Sequence, residues 1–134
     1  MERSYSSSGY VTLLNIIQQQ QTRLTTSGDS YEKALTIDSQ AGYMWWSTCG
    51  NGSSVWKASL AHINEKAKIW SGSKCPVGLA VDSRDHLIFA DQFTAGLMML
   101  SYDGHVIDRL SVTKGRSYGL AVDQLNRLVF IKYI

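Results

Sequence analysis

The chain is poor in the residues from which active sites and membrane anchors are built. It has two cysteines, and its three histidines, His62, His86 and His105, stand far apart with no i, i+4 pair. That spacing offers no metal-ligand pattern. No serine sits in a nucleophile-elbow context, and no glycine-rich phosphate loop leads from a strand into a helix. No run approaches about 18 apolar residues, which excludes a transmembrane helix. The opening Met1-Glu2-Arg3-Ser4-Tyr5-Ser6-Ser7-Ser8 lacks an apolar signal core, and Leu13 to Ile17 is too short to be one. A formal net charge of +2 is too small to argue for nucleic acid or a membrane surface. The expectation is a cytoplasmic, non-enzymatic chain with no cofactor, no metal and no membrane contact.

What is present is a repeat. Ala34-Leu35-Thr36-Ile37-Asp38 recurs as Gly78-Leu79-Ala80-Val81-Asp82 and again as Gly119-Leu120-Ala121-Val122-Asp123, with successive aspartates 44 and 41 residues apart. Turn formers follow each aspartate: Ser39-Gln40-Ala41-Gly42, Ser83-Arg84-Asp85 and Gln124-Leu125-Asn126. A second apolar run comes next, Tyr43-Met44-Trp45-Trp46, Leu87-Ile88-Phe89-Ala90 or Leu128-Val129-Phe130-Ile131. Short apolar runs bounded by Gly, Asn, Asp and Ser read as strands joined by hairpins. A period of about 40 to 45 residues built this way is the signature of a β-propeller blade, one four-stranded sheet per repeat.

The middle copy is the most complete, with Leu97-Met98-Met99-Leu100 as third strand, Tyr102-Asp103-Gly104 as turn and Val106 to Leu110 as fourth. The Asp-Gly pair is a strong hairpin signal. In the preceding copy Val55 to Leu60 is the third strand and Ala67 to Trp70 the fourth, across a loop from Ala61 to Glu65. The N-terminal stretch reads alike, with Tyr10 to Ile16 third, Thr22 to Thr26 fourth and Gln18 to Gln21 in the loop between. The predicted layout is a half blade over 9–27, blades over 34–70 and 76–110, and a half blade over 117–134. The fold class is therefore all-β, an open, about three-bladed part of a six-bladed-type propeller. At about 42 residues a blade, even a four-bladed ring needs roughly 170 residues. Uncovered blade faces are costly to a repeat array. They predict a fragment, a truncated gene product or a piece that pairs with another chain, self-association included.

Several recurrent residues have structural work. Asp38, Asp82 and Asp123 each end a first strand, where an aspartate accepts hydrogen bonds from backbone N–H groups of the turn that follows. Gly78 and Gly119 fall where blades converge and side-chain room is scarce, and Pro76 opens a strand, where its missing N–H is harmless. Trp45, Trp46, Trp56 and Trp70 belong to one blade. Adjacent tryptophans in a strand point to opposite faces, so Trp45 and Trp46 pack on different neighbours, with Trp46 or Trp56 as the alternative for ligand stacking. Cys49 and Cys75 fall in loops at the same end of the sheet. A disulfide is sterically open to them, but without a secretion signal two reduced thiols are expected.

One constellation carries a binding expectation. Loops after second and fourth strands share one end of a propeller, and there the chain places Lys74, Phe93, Lys114, Arg116 and Tyr118. Basic residues among aromatics suit single-stranded RNA, through phosphate neutralisation and base stacking, and equally suit an acidic peptide. Ordinary solvated loop charges are the plainer reading.

The stretch from Pro76-Val77-Gly78-Leu79-Ala80-Val81-Asp82 through Leu87-Ile88-Phe89-Ala90-Asp91 resembles an NHL repeat, and the likeness extends to Leu110. The flanking copies lack its Ala-Asp ending, with Trp46-Ser47 and Ile131-Lys132 in its place. Within that family the chain is most similar to the C-terminal propellers of tripartite-motif (TRIM) proteins. The resemblance implies a module that binds protein or RNA partners beside a ubiquitin-ligase RING. No RING cysteine pattern is present in this sequence. Tyr43-Met44-Trp45-Trp46-Ser47-Thr48 also resembles the signature of secreted YWTD propellers, although Cys49 stands where that signature has its aspartate. Lactonase-type propellers hold a divalent metal with Glu, Asn and Asp, for which Asn51 and Asp91 are thin candidates here.

Overall fold

The computed structural model describes residues 11–23, 30–50, 52–72, 75–91, 96–111 and 116–133. These form twelve β-strands, with no helix among the described residues. The first hairpin pairs β1 (Thr12–Asn15) with β2 (Gln20–Arg23). A four-stranded antiparallel meander follows, of β3 (Ser30–Asp38), β4 (Tyr43–Gly50), β5 (Ser53–Ser59) and β6 (His62–Gly72). The next meander is β7 (Pro76–Val81), β8 (His86–Asp91), β9 (Gly96–Ser101) and β10 (Val106–Ser111). A last hairpin joins β11 (Arg116–Val122) to β12 (Leu128–Tyr133). First strands meet at the middle, with β7 against both β3 and β11. The molecule is an open, partial β-propeller.

The chain folds this way because each first strand stops at an aspartate and turns on a residue of left-handed backbone. Those residues are Gly42 (φ 81°), Asp85 (φ 62°) and Asn126 (φ 59°). Gly, Asn and Asp tolerate that region best, which is why they recur at this point of the repeat.

Several strand boundaries differ from the predicted ones. The loop read over Ala61 to Glu65 shrinks to a turn at Leu60-Ala61, and β6 begins at His62, paired with Ser59. The tight turn stands without an Asp-Gly because Ser59 Oγ accepts from Ala61 N at 3.2 Å and Leu60 N donates to Gly42 O at 2.9 Å. In the first hairpin the glutamines are not all loop. Gln20 and Gln21 pair with Asn15 and Leu14, and Gln19, at φ 56°, takes the turn.

Strand alternation divides the core between blade faces. Trp45, Val55, Leu79, Leu87, Phe89 and Leu100 form the seam between the two meanders. Across it the rings of Trp70 and Phe89 lie 4.8 Å apart. Trp46 points the other way and packs with Val11, Met44 and Ala58 towards the first hairpin. It also stacks on Trp56, at 6.5 Å with 9° between planes. The far face of the second meander buries Ile88, Ala90 and Leu97 under Leu120, Val122, Leu128 and Phe130 of the last hairpin.

The cysteines correct the expectation of two free thiols: Cys49 and Cys75 form a disulfide. Strand β4 runs on to Gly50, so Cys49 belongs to the sheet rather than to a loop. Its inward side chain meets Cys75, which directly precedes β7, with the Cα atoms 5.2 Å apart. Both are buried beside Val77.

Candidate functional site

The propeller offers a ligand two ends. One carries the turns after first and third strands. There the repeated aspartates are occupied by their own turns. Asp38 Oδ1 accepts from Ala41 N at 3.0 Å. Asp82 Oδ1 accepts from the N–H groups of Arg84 and His86, both at 2.9 Å. Asp123 Oδ1 accepts from Leu125 N at 2.9 Å and Arg127 N at 2.8 Å. The second oxygens are taken as well: His86 Nδ1 lies 2.9 Å from Asp82 Oδ2, and Arg127 Nε donates to Asp123 Oδ2 at 2.6 Å.

Contacts at this end also cross the seams between sheets. The Tyr102 hydroxyl donates to Asp38 Oδ2 at 2.6 Å, while its ring lies 4.4 Å from that of Trp45. Ser83 N donates to Asn126 Oδ1 at 3.0 Å. The Tyr102 hydroxyl, followed by Ala41 N–H, holds the Asp38 carboxyl below its ordinary range. Burial, followed by the bond to Asp38, pushes the Tyr102 phenol well up. Asp123 is likewise held low by the backbone and then the side chain of Arg127. Lys57 Nζ reaches Asp103 Oδ1 at 3.1 Å and lies 4.0 Å from the Tyr43 ring centre.

Chemically, this end is a set of satisfied carboxylates, suited to holding turns in place. Its turn tips, Arg84, Asp85, Gln124 and Leu125, are exposed and of mixed character. Among the described residues no group of three or more His, Cys, Asp or Glu is placed to hold a metal ion. His62, His86 and His105 lie at three separate strand ends.

The basic and aromatic residues singled out from the sequence fall only partly within the described residues. Lys74, Phe93 and Lys114 lie outside the described residues, as does Asn51. Arg116 and Tyr118 belong to β11, and Asp91 closes β8. Pro76 opens β7 and is fully buried, its carbonyl accepting from Ser47 Oγ at 2.7 Å. Gly78 is buried in the same strand. Gly119 departs from the crowding expected of it: it is exposed, and a side chain there would meet nothing within 4 Å. Among the described residues no sheet covers that face of β11.

Of the tryptophans, Trp46 is enclosed, while Trp56 is half-buried with the ammonium groups of Lys66 and Lys68 each 5.2 Å from its ring centre. Sequence reasoning missed Tyr102. The Tyr102-Asp103-Gly104 segment was legible as a turn, but nothing in its spacing to Asp38 signals the bond across the seam.

No family model matches the chain. Its backbone is similar to solved structures. One is a chain in the crystal structure of a nidogen/laminin complex, a β-propeller, with TM-score 0.79 at 13% identity over 92% of this chain and 47% of that one. Another is a protein of unknown function from Bacteroides caccae, with TM-score 0.56 at 10% identity over 79% of this chain and 41% of that one. The chain thus spans about half the length of each.

Proposed function

We propose that this chain is a non-enzymatic propeller module that binds a protein partner. The observation that carries the reading is its likeness, at TM-score 0.79, to a propeller held in a complex of two proteins. Supporting it, the repeated aspartates are satisfied by their own turns, which suits a scaffold presenting loops. The partner surface is the loop end with Lys74, Phe93, Lys114, Arg116 and Tyr118, whose basic and aromatic character fits an acidic segment. In the NHL/TRIM-like form of this reading the same loops take single-stranded RNA.

The test is capture by the purified chain of acidic peptides and of single-stranded RNA, compared with the Lys114→Glu, Arg116→Glu double variant. The double variant is expected to lose binding, with a steep salt dependence if RNA is the ligand. Failure to capture either class, at any salt, overturns the reading.

The disulfide favours a second form of the same reading. Cys49–Cys75 suits an oxidising compartment, and Tyr43-Met44-Trp45-Trp46 occupies β4 much as a YWTD-type strand would. In this form the module is extracellular, whereas the cytoplasmic form requires both thiols reduced. Peptide mapping without reductant, on protein recovered from its native source, separates the two by the presence or absence of the linked pair.

A further inference from the structure

Of the four asparagines in the sequence, Asn51 alone stands in the pattern Asn-x-Ser/Thr, as Asn51-Gly52-Ser53. Asn15, Asn64 and Asn126 have Ile17, Lys66 and Leu128 two residues on. With any middle residue but proline, that pattern is the acceptor for N-linked glycans. A hairpin explains only half of it. Asn-Gly is a favoured pair for a two-residue turn, but such a turn asks for no hydroxyl on the residue that follows.

The residues on either side of Asn51 are placed as a glycan requires. β4 ends at Gly50 and β5 begins at Ser53, so the pattern spans the turn between two paired strands. Gly50 and Gly52 are both exposed, with φ 109° and 105°, and Gly52 N donates to Gly50 O at 2.9 Å. A side chain built on Gly52 meets nothing within 4 Å. Burial resumes at once on both strands, with Cys49 on one side and Ser53 and Ser54 on the other. Bulk added at this turn therefore has open space beside it and displaces no part of the core. The turn also lies next to Cys49, whose bond to Cys75 suits an oxidising compartment. Secreted proteins acquire N-linked glycans on such surface turns.

We propose that Asn51 carries an N-linked glycan, a modification that rests on the extracellular form of the binding module. The co-reactant is an oligosaccharide attached to a lipid pyrophosphate. The Asn51 amide nitrogen bonds to the anomeric carbon of that oligosaccharide, and the bond from this carbon to the phosphate oxygen breaks. The lipid pyrophosphate leaves with the electron pair, and the amide gives up one proton to a base of the transferase. No oxidant or reductant takes part. Ser53 is 6% exposed in the folded chain and pairs with Gly72, so the transferase must read its hydroxyl before β5 closes against β6.

The experiment is mass spectrometry of protein recovered from its native source and cut with trypsin in the absence of reductant. Cleavage after Lys33, Lys57, Lys74 and Arg84 frees peptides 34–57 and 75–84, which hold Asn51 with Cys49 and Cys75 respectively. One linked pair thus reports both the glycan and the disulfide. The pair is expected to carry sugar that a peptide N-glycosidase removes, leaving at position 51 an aspartate labelled by heavy-oxygen water. A linked pair with an unmodified Asn51 overturns the proposal and leaves the extracellular reading standing. An unlinked, unmodified pair overturns both. Substitutions in the chain secreted from eukaryotic cells separate the motif from the turn. Ser53→Ala and Asn51→Gln are expected to lose the added mass, and Ser53→Thr to keep it. Added mass that persists in both Ser53→Ala and Asn51→Gln overturns the assignment to this site.

Discussion

Tyr102 and Asp38 lie 64 residues apart and meet at 2.6 Å, tying the β9–β10 turn of one blade to the β3–β4 turn of its neighbour. The bond links the rim of the seam to its buried centre, since the Tyr102 ring also lies against Trp45. Tyr102→Phe keeps the ring contact and removes the bond, and is expected to cost about 1 kcal/mol of stability. The bond lowers the pKa of Asp38, so its contribution is full above the ordinary aspartate pKa of about 3.9 and is lost as pH falls through the lowered value. Urea titrations at neutral and acid pH should show wild type and Tyr102→Phe converging only at the acid end.

Trp45 and Trp46 are neighbours in sequence that serve opposite seams. Replacing either with alanine is expected to cost about 3–5 kcal/mol, because each fills a closed space. Trp45→Phe is milder and isolates the indole N–H, which donates to Tyr102 O at 3.4 Å. Chemical unfolding with equal slopes for all three variants checks this.

Reduction of Cys49–Cys75 releases a crosslink spanning 26 residues. For a loop of that size the loss is about 3 kcal/mol. Calorimetry with and without a reductant is expected to show a lower midpoint in the reduced chain, and the Cys49→Ser, Cys75→Ser double variant should be insensitive to reductant.

Gly104 and Gly42 both have left-handed backbone, at φ 93° and 81°, but in different surroundings. A side chain at Gly42 meets nothing within 4 Å, whereas one at Gly104 runs into the Ile69 carbonyl of the neighbouring blade. Gly42→Ala is expected to cost about 1 kcal/mol, from backbone strain alone. Gly104→Ala should cost clearly more, and equal midpoint shifts in thermal melts would contradict the close approach.

The blade order was legible because it rests on local chemistry: an aspartate, a left-handed turn residue and alternating apolar strands within about ten residues of one another. The same reasoning placed Trp45 and Trp46 on opposite faces from their adjacency alone. It did not find the turn at Leu60-Ala61, which lacks glycine and is held by the Ser59 hydroxyl. Nor did it settle the cysteines, because the length of β4 decides whether Cys49 faces inward. Gly119 was misjudged for a different reason: crowding at that position depends on a neighbouring sheet and not on the residue itself. The candidate loop site was legible only as composition, since charge and aromaticity in loops carry no distances.

The account stands on meanders stacked face to face about a common axis, and proton–proton contacts in solution read that most directly. Nuclear Overhauser spectra of the chain should show cross-peaks from Trp45 to Tyr102 and from Trp70 to Phe89, both of which cross the seam. A spectrum that keeps the Trp46 to Trp56 contact within one sheet but lacks both seam contacts would contradict the stacking.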